Sequence, residues 1–208
     1  MYNLNSMMRG ATMKFYEVIA EKAYEQNVGD RFSEPSCLSW HEFSRWSILL
    51  EGCHSLSATE LEELHRFPIV QFKTYELSDI YETFTHIHLY STRLRQMVEL
   101  QGLAANMMFI PVQLAQEMFF AVRYSDSQCL PCLKPYPVYR LTIPSWVVGY
   151  NIYKRRGSLL ILDGKLVMDH CLFRVANVED RPLVVREDIL EQWLEQGIVL
   201  DFQEVILE

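Results

Sequence analysis

Through the first hundred residues, apolar side chains recur at helical spacing. Phe15, Val18, Ile19 and Ala23 form one stripe, with Thr12 placed to cap a helix and Gly29 to stop it in a left-handed turn. A second helix is predicted from Ser39. Ser39 and Glu42 have the S-x-x-E spacing of a capping box, in which each residue takes up an orphan backbone donor of the first turn. Phe43, Trp46, Leu49 and Leu50 then follow at helical intervals as far as Gly52. Ser57 and Glu60 repeat the signature ahead of Leu61 and Leu64, and Pro68 ends that helix by removing a donor and restricting Phe67. Residues 69–77 read as one strand, with Val70 and Phe72 on the face opposite Gln71 and Lys73. The longest helical pattern opens at Asp79 and Glu82. It carries Ile80, Phe84, Ile87, Leu94, Met97 and Val98 to Gly102, with an interruption at Tyr90-Ser91-Thr92.

Residues 103–122, LAANMMFIPVQLAQEMFFAV, approach the roughly 20 residues that a bilayer core demands. Asn106, Gln113, Gln116 and Glu117 would lack partners in hydrocarbon and Pro111 would break the helix, so no membrane span is expected. The segment reads instead as an extended stretch to Pro111 followed by a short core helix. From about Tyr136 the texture turns to strands. Pro131, Pro135 and Pro137 punctuate a linker, after which residues 138–143, 146–153, 159–162, 166–169 and 172–175 read as short strands. Asp163-Gly164 supplies the positive φ angles of a tight hairpin turn, and Lys154-Arg155-Arg156-Gly157 reads as the turn before it. Glu187 and Asp188 open a C-terminal helix with Ile189, Leu190, Trp193 and Leu194 on its buried face, stopped by Gly197. The closing IVLDFQEVILE alternates as a strand with a change of phase that marks a bulge or a fray.

The fold class this implies is α+β: a helical N-terminal half packed on a mainly antiparallel β-sheet formed by the C-terminal half, with a C-terminal helix and strand. Residues 1–11, with Met7, Met8 and Met13 as alternative starts, read as a flexible extension. Residues 12–208 read as a single domain with a subdomain boundary near 124–137.

Composition narrows the function more than the fold. With 208 residues, 50% hydrophobic, 12% aromatic and 22% charged, the chain is far from the composition of a disordered protein. A net charge of −8 works against a partner built on phosphate backbones. Its one basic cluster, Lys154-Arg155-Arg156 beside Tyr150 and Tyr153, reads as protection of a strand edge, so no nucleic-acid partner is expected. Five cysteines off any regular spacing argue against a disulfide-stapled fold, and no apolar run follows Arg9 to make a signal peptide; both place the protein in the reducing cytoplasm.

The sharpest chemical motif is Cys129-Leu130-Pro131-Cys132. A redox dithiol would need a helix starting at the motif, which Pro135 and Pro137 oppose. A tetrahedral zinc could draw on Cys129, Cys132, His170 and Cys171. His86 and His88, two apart on a helix, would point some 200° apart and could not both join them. No zinc or other cofactor is expected on the leading reading. Cys53-His54 and Asp169-His170-Cys171 place nucleophile and base in sequence without the geometry a catalytic pair needs. Phosphate-loop, dinucleotide, zinc-protease and serine-hydrolase signatures are missing.

What remains unusual is the stock of nine methionines, eleven tyrosines, eleven phenylalanines and four tryptophans, residue types that adapt to and anchor partner surfaces. Trp46 and Trp193 fall on core stripes. Met107, Met108, Met118, Phe119 and Phe120 lie in a segment more apolar than one helix face can hide, and are the candidate partner-binding residues. The function expected is a non-enzymatic interaction module. It would be an adaptor or chaperone-like subunit of a larger cytoplasmic, bacterial secretion-type complex, bound stably to other proteins. The alternative is a small cysteine- or metal-dependent enzyme, or a zinc-stabilised domain, centred on Cys129 and Cys132.

Overall fold

The computed structural model describes residues 13–25, 38–51, 55–125, 128–130, 134–137, 158–176 and 181–208. The N-terminal extension 1–11, Thr12, Gly29, Gly52, Cys53-His54, Cys132, the strands expected at 138–143 and 146–153 and the Lys154-Arg155-Arg156 turn lie outside them.

Strands β1 (Phe15–Ile19), β2 (Glu21–Lys22) and β3 (Tyr24–Glu25) precede helices α1 (Trp40–Glu51) and α2 (Ala58–Arg66). Strands β4 (Gln71–Lys73), β5 (Ile80–Glu82) and β6 (His88–Ser91) lead to helix α3 (Thr92–Leu100), then to the hairpin β7 (Met107–Leu114) and β8 (Glu117–Tyr124). The remainder is β9 (Cys129–Leu130), β10 (Lys134–Pro137), β11 (Ser158–Leu162), α4 (Gly164–Val167), β12 (Leu172–Val175), β13 (Leu183–Arg186), α5 (Glu187–Glu195), β14 (Asp201–Glu204) and β15 (Ile206–Leu207).

Seven strands form one sheet in the order β2-β5-β6-β8-β7-β4-β3. Its two end strands are separated along the chain only by Ala23, so residues 21–25 serve both ends and the sheet nearly closes into a barrel. Ala23 is buried and its N–H donates to Glu82 O at 3.0 Å, which continues the closure. The interior holds Phe72, Tyr81, Leu89, Val112, Leu114, Phe119 and Ala121, and α1 adds Phe43, Trp46, Leu49 and Leu50 to the same core. Each such side chain contributes about 1.5–3 kcal/mol by leaving water.

A five-stranded sheet, β14-β1-β13-β12-β9, lies beside the barrel. One face, with Val18, Leu172, Leu183 and Val185, shares a core with the barrel's outer side (Ile80, Tyr90, Val122, Tyr124) and with Leu94 and Val98 of α3 and Trp193 of α5. The opposite face, with Phe15, Phe173, Val175 and Val184, packs on Leu160 and Leu162 of the small β10-β11-β15 sheet. Asp79 ties barrel to sheet. Its buried carboxylate accepts from Ser91 Oγ (2.5 Å), from Arg93 Nη2 (2.6 Å) and from the Val199 N–H (2.7 Å).

A helical N-terminal half is therefore not what this chain forms. The Phe15 to Ala23 stripe is strand. β1 sits between β13 and β14 with both faces covered, Phe15 in one core and Val18 in another, so it lacks the polar alternation that would separate it from a helix. The long pattern opened by Asp79 is the hairpin β5–β6 followed by α3, which Ser91 caps by accepting from the Leu94 N–H at 3.0 Å. After Pro111 the chain stays extended: Pro111 lies on β7 beyond the residues that pair with β4, and Ala115-Gln116 turns it into β8. Nor does the C-terminal half make the sheet alone, since β1 lies inside it and the barrel is built from residues before 125. Asp163-Gly164 starts α4 rather than a hairpin, because the Asp163 carboxylate accepts from the Lys165 N–H at 2.8 Å. Leu194 is 41% exposed, whereas Ile189, Leu190 and Trp193 are buried.

The local signals fared better. Ser39 and Glu42 make the reciprocal bonds of a capping box at α1, as do Ser57 and Glu60 at α2, which ends at Phe67 before Pro68. Gly197 closes α5 with φ +73°, and Val205 breaks the final strand into β14 and β15 where the alternation changes phase. Among the described residues no helix is long and apolar enough to cross a membrane.

Candidate functional site

The densest polar cluster lies between barrel and sheet. His88 Nδ1 stands 3.0 Å from the Tyr124 hydroxyl, which is 2.8 Å from that of Tyr90, and the Arg174 guanidinium lies over the Tyr124 ring at 5.2 Å. Arg174 also donates to His86 O and to Arg181 O, both at 3.0 Å. Glu82 accepts from Lys22 Nζ and from His86 Nδ1. Burial and the Arg174 charge hold the His88 imidazole down at about 3, so it is neutral, and burial pushes the Tyr90 and Tyr124 hydroxyls up. Burial opposes ionisation of Glu82, but the His86 hydrogen bond and the Lys22 ammonium outweigh it and the carboxyl sits at about 2. These groups answer one another across the junction. The arrangement is that of a satisfied polar seam joining two layers, with its acid ionised and its base neutral at pH 7.

The five methionine and phenylalanine residues expected at a partner surface alternate across the β7–β8 hairpin. Phe119 is buried inside the barrel and Met108 packs against the same core, whereas Met107 packs on the outer core shared with the sheet. Met118 is exposed, and Phe120 is half-buried beneath the Arg95 guanidinium, 4.3 Å from its ring centre. Strand periodicity separates what a single helix face would have gathered.

Cys129, on β9, is disulfide-bonded, and its partner is not Cys171, which is free and half-buried. His170 meets the Phe173 ring edge-on at 6.0 Å. His86 and His88 belong to a hairpin rather than a helix. Among the described residues no group of three or more His, Cys, Asp or Glu side chains is arranged to hold a metal ion.

A different surface stands out. Tyr75, Leu77 and Phe84 are 77%, 92% and 63% exposed, and the Tyr24 ring touches both Tyr75 (5.5 Å) and Phe84 (5.4 Å) edge-on. Short, pinned turns hold them out. The buried Tyr81 reaches from β5 under the 74–78 loop, its hydroxyl donating to Glu76 O (2.7 Å) and accepting the Ser78 N–H (2.9 Å). Phe84 occupies the tip of the β5–β6 hairpin. That turn is fixed by Thr83 Oγ1 accepting from the Ile87 N–H (3.2 Å) and by His86 in the left-handed region at φ +59°. Ser78 Oγ donates to Val199 O at 3.1 Å, bringing the half-exposed Val199 to the end of the strip. Glu76 and Glu25 lie beside it, Glu25 with its carboxyl pushed up by burial and its Oε1 without a hydrogen-bond partner, and Lys73 Nζ stands 6.0 Å from the Tyr75 ring centre. Sequence reasoning passed over these residues. The available signal was Tyr75 and Leu77 as large apolar side chains at the end of the stretch 69–77 expected as one strand, of which β4 takes up Gln71–Lys73.

Set against protein-family models and against curated proteins, the chain matches none.

Proposed function

We propose that this protein is a non-enzymatic interaction module, an adaptor or chaperone-like subunit of a larger complex that holds another polypeptide. The observation that carries the reading is the strip of Tyr24, Tyr75, Leu77 and Phe84. Large apolar side chains presented at high exposure on turns fixed from beneath lose little conformational freedom on contact, and solvent-facing apolar strips of this kind mark contact surfaces. The net charge of −8 favours a basic partner.

The test is affinity purification from the source cell of the native chain and of a triple variant, Tyr75→Ser with Leu77→Ser and Phe84→Ser. Because all three side chains face water, the variant's unfolding free energy should stay within about 0.5 kcal/mol of the native value for each substitution. A stoichiometric partner held by the native chain and lost by the folded variant is the expected result. A native chain recovered alone, as a monodisperse monomer, overturns the reading.

A further inference from the structure

We infer that β14 is a docking edge on which an extended, basic segment of another polypeptide adds as a sixth strand of the five-stranded sheet. The inference rests on the reading of this protein as a polypeptide-binding module and names the partner's chemistry.

β14 ends the sheet, and no described strand lies on its outer side. In an antiparallel pair, successive residues point their backbone groups alternately toward and away from the neighbour. The Val205 N–H donates to Phe15 O at 2.9 Å, and the β1–β14 register pairs Glu17 with Gln203 and Ile19 with Asp201. Val205, Gln203 and Asp201 therefore bond inward. Phe202 and Glu204 turn their N–H and C=O groups to the open side, a ladder ready for another strand.

The side chains say which strand fits. β14 (Asp-Phe-Gln-Glu) carries no lysine or proline; its protection is its short length and its two acids, which repel an acidic strand and admit a basic one. Asp201 and Glu204 are exposed, and Lys14, 3.5 Å from Glu204, is the one cation against them among the described residues. Phe202 stands half-exposed on the ring of Tyr16 (5.5 Å, edge-on), a contact on which an incoming apolar side chain can rest. A second copy of this chain is the wrong occupant. It would place two Asp201 and two Glu204 carboxylates on one short ladder whose strands are about 4.8 Å apart. A segment alternating lysine or arginine with apolar residues sets its cations on the face of Asp201 and its apolar side chains on the opposite face, against the Phe202 ring. Val199 leads directly into β14, so such a segment would continue the apolar strip ending at Leu77.

The experiment titrates the full chain with a blocked octapeptide of alternating lysine and valine, and with its glutamate–valine counterpart, reading amide exchange residue by residue. The lysine peptide should slow exchange at the Phe202 and Glu204 amides at least ten-fold. Its affinity should fall at least ten-fold in Asp201→Lys, and the glutamate peptide should leave both amides unchanged. Phe202→Pro, which removes an outward donor together with the ring, should abolish the protection of the Glu204 amide. If that variant does not fold, the charge reversal decides alone. No binding of the lysine peptide, binding that leaves the two amides unchanged, or equal protection by both peptides overturns the inference. So does protection that rises with protein concentration alone, the sign of self-pairing. Native-partner capture read in parallel keeps the two readings apart: capture that persists while the peptide fails overturns the edge and not the module.

Discussion

In the barrel, residues 21–25 pair with β5 through one half and with β4 through the other, so the same short stretch covers both ends of the seven-stranded sheet. In the five-stranded sheet next to it, β14 pairs on one side only. Both are built from short strands with a fully buried apolar core, so burial does not explain why one closes and the other stays open. The difference lies in what each boundary carries. Ala23, small enough to sit inside, lets the barrel seam close, whereas the acids of β14 resist another strand of the same sign. The closed sheet holds its shape and fixes the turns bearing Tyr75, Leu77 and Phe84. The open one keeps a row of backbone donors and acceptors in reach of a partner.

The contrast breaks most visibly at its core. Trp46 on α1 is fully buried against Phe43 and Phe72 in the barrel. Trp46→Ala leaves a void that α1 and the barrel wall cannot both collapse to fill, at a cost of about 3–5 kcal/mol. At the open edge, Phe202→Ala should cost about 1 kcal/mol or less, because that ring is already half in water. Denaturant midpoints of the two variants measure the gap, and equal losses would mean that the barrel is not the stabilising half.

How much of this was legible in the chain depends on how far each signal reaches. Ser39 with Glu42, Ser57 with Glu60, and Gly197 act within one turn of backbone, and the elements they delimit stand where the sequence puts them. Phe15, Val18 and Ala23 have helical spacing by coincidence, because β1 runs between two cores and residues on both its faces are apolar. Ile80, Phe84 and Ile87 mislead in the same way. Ile80 and Ile87 lie on opposite arms of a hairpin and Phe84 is at its tip, yet the spacing four and three apart mimics a helix stripe. The exposed strip was illegible for a different reason: Tyr75 and Leu77 face outward because Tyr81, on another strand, holds their loop. No local pattern encodes a contact of that kind.

A second measurement sharpens the junction between the two regions. The imidazole of His88 titrates at about 3 in the folded chain against 6.5 when unfolded, because burial and the Arg174 charge disfavour its protonated form. Protons therefore bind the unfolded chain first as pH falls, and stability present above about pH 6.5 is lost on the way down. Roughly 2 kcal/mol should be gone by pH 5. Glu82, depressed to about 2 from 4.5, adds its own loss only below about pH 4.5, and Glu25, pushed up by burial, takes up its proton in the folded chain first, so from pH 6.5 to 5 the histidine's share is the difference between the native chain and a variant that lacks it. His88→Gln keeps a polar partner for the Tyr124 hydroxyl and removes the titration. Its urea midpoint should be flatter across that interval than that of the native chain. An unchanged slope would place the acid sensitivity elsewhere.

The smallest effect sits at the turn between β7 and β8. Ala115 has φ +54°, a region where the Cβ of an L residue crowds its own backbone, and the first position of a two-residue hairpin turn is one where glycine is favoured. Its N–H is committed to Phe72 O at 2.9 Å, and its side chain is exposed, so nothing is lost by deleting the methyl group. Ala115→Gly relieves the strain, partly offset by the greater freedom of glycine in the unfolded chain, and should stabilise the protein by about 0.5–1 kcal/mol. This gain belongs to the closed region alone. The amides of Phe202 and Glu204 at the open edge should exchange at their native rates while those of β7 and β8 slow. A loss of stability would mean that the left-handed turn does not form.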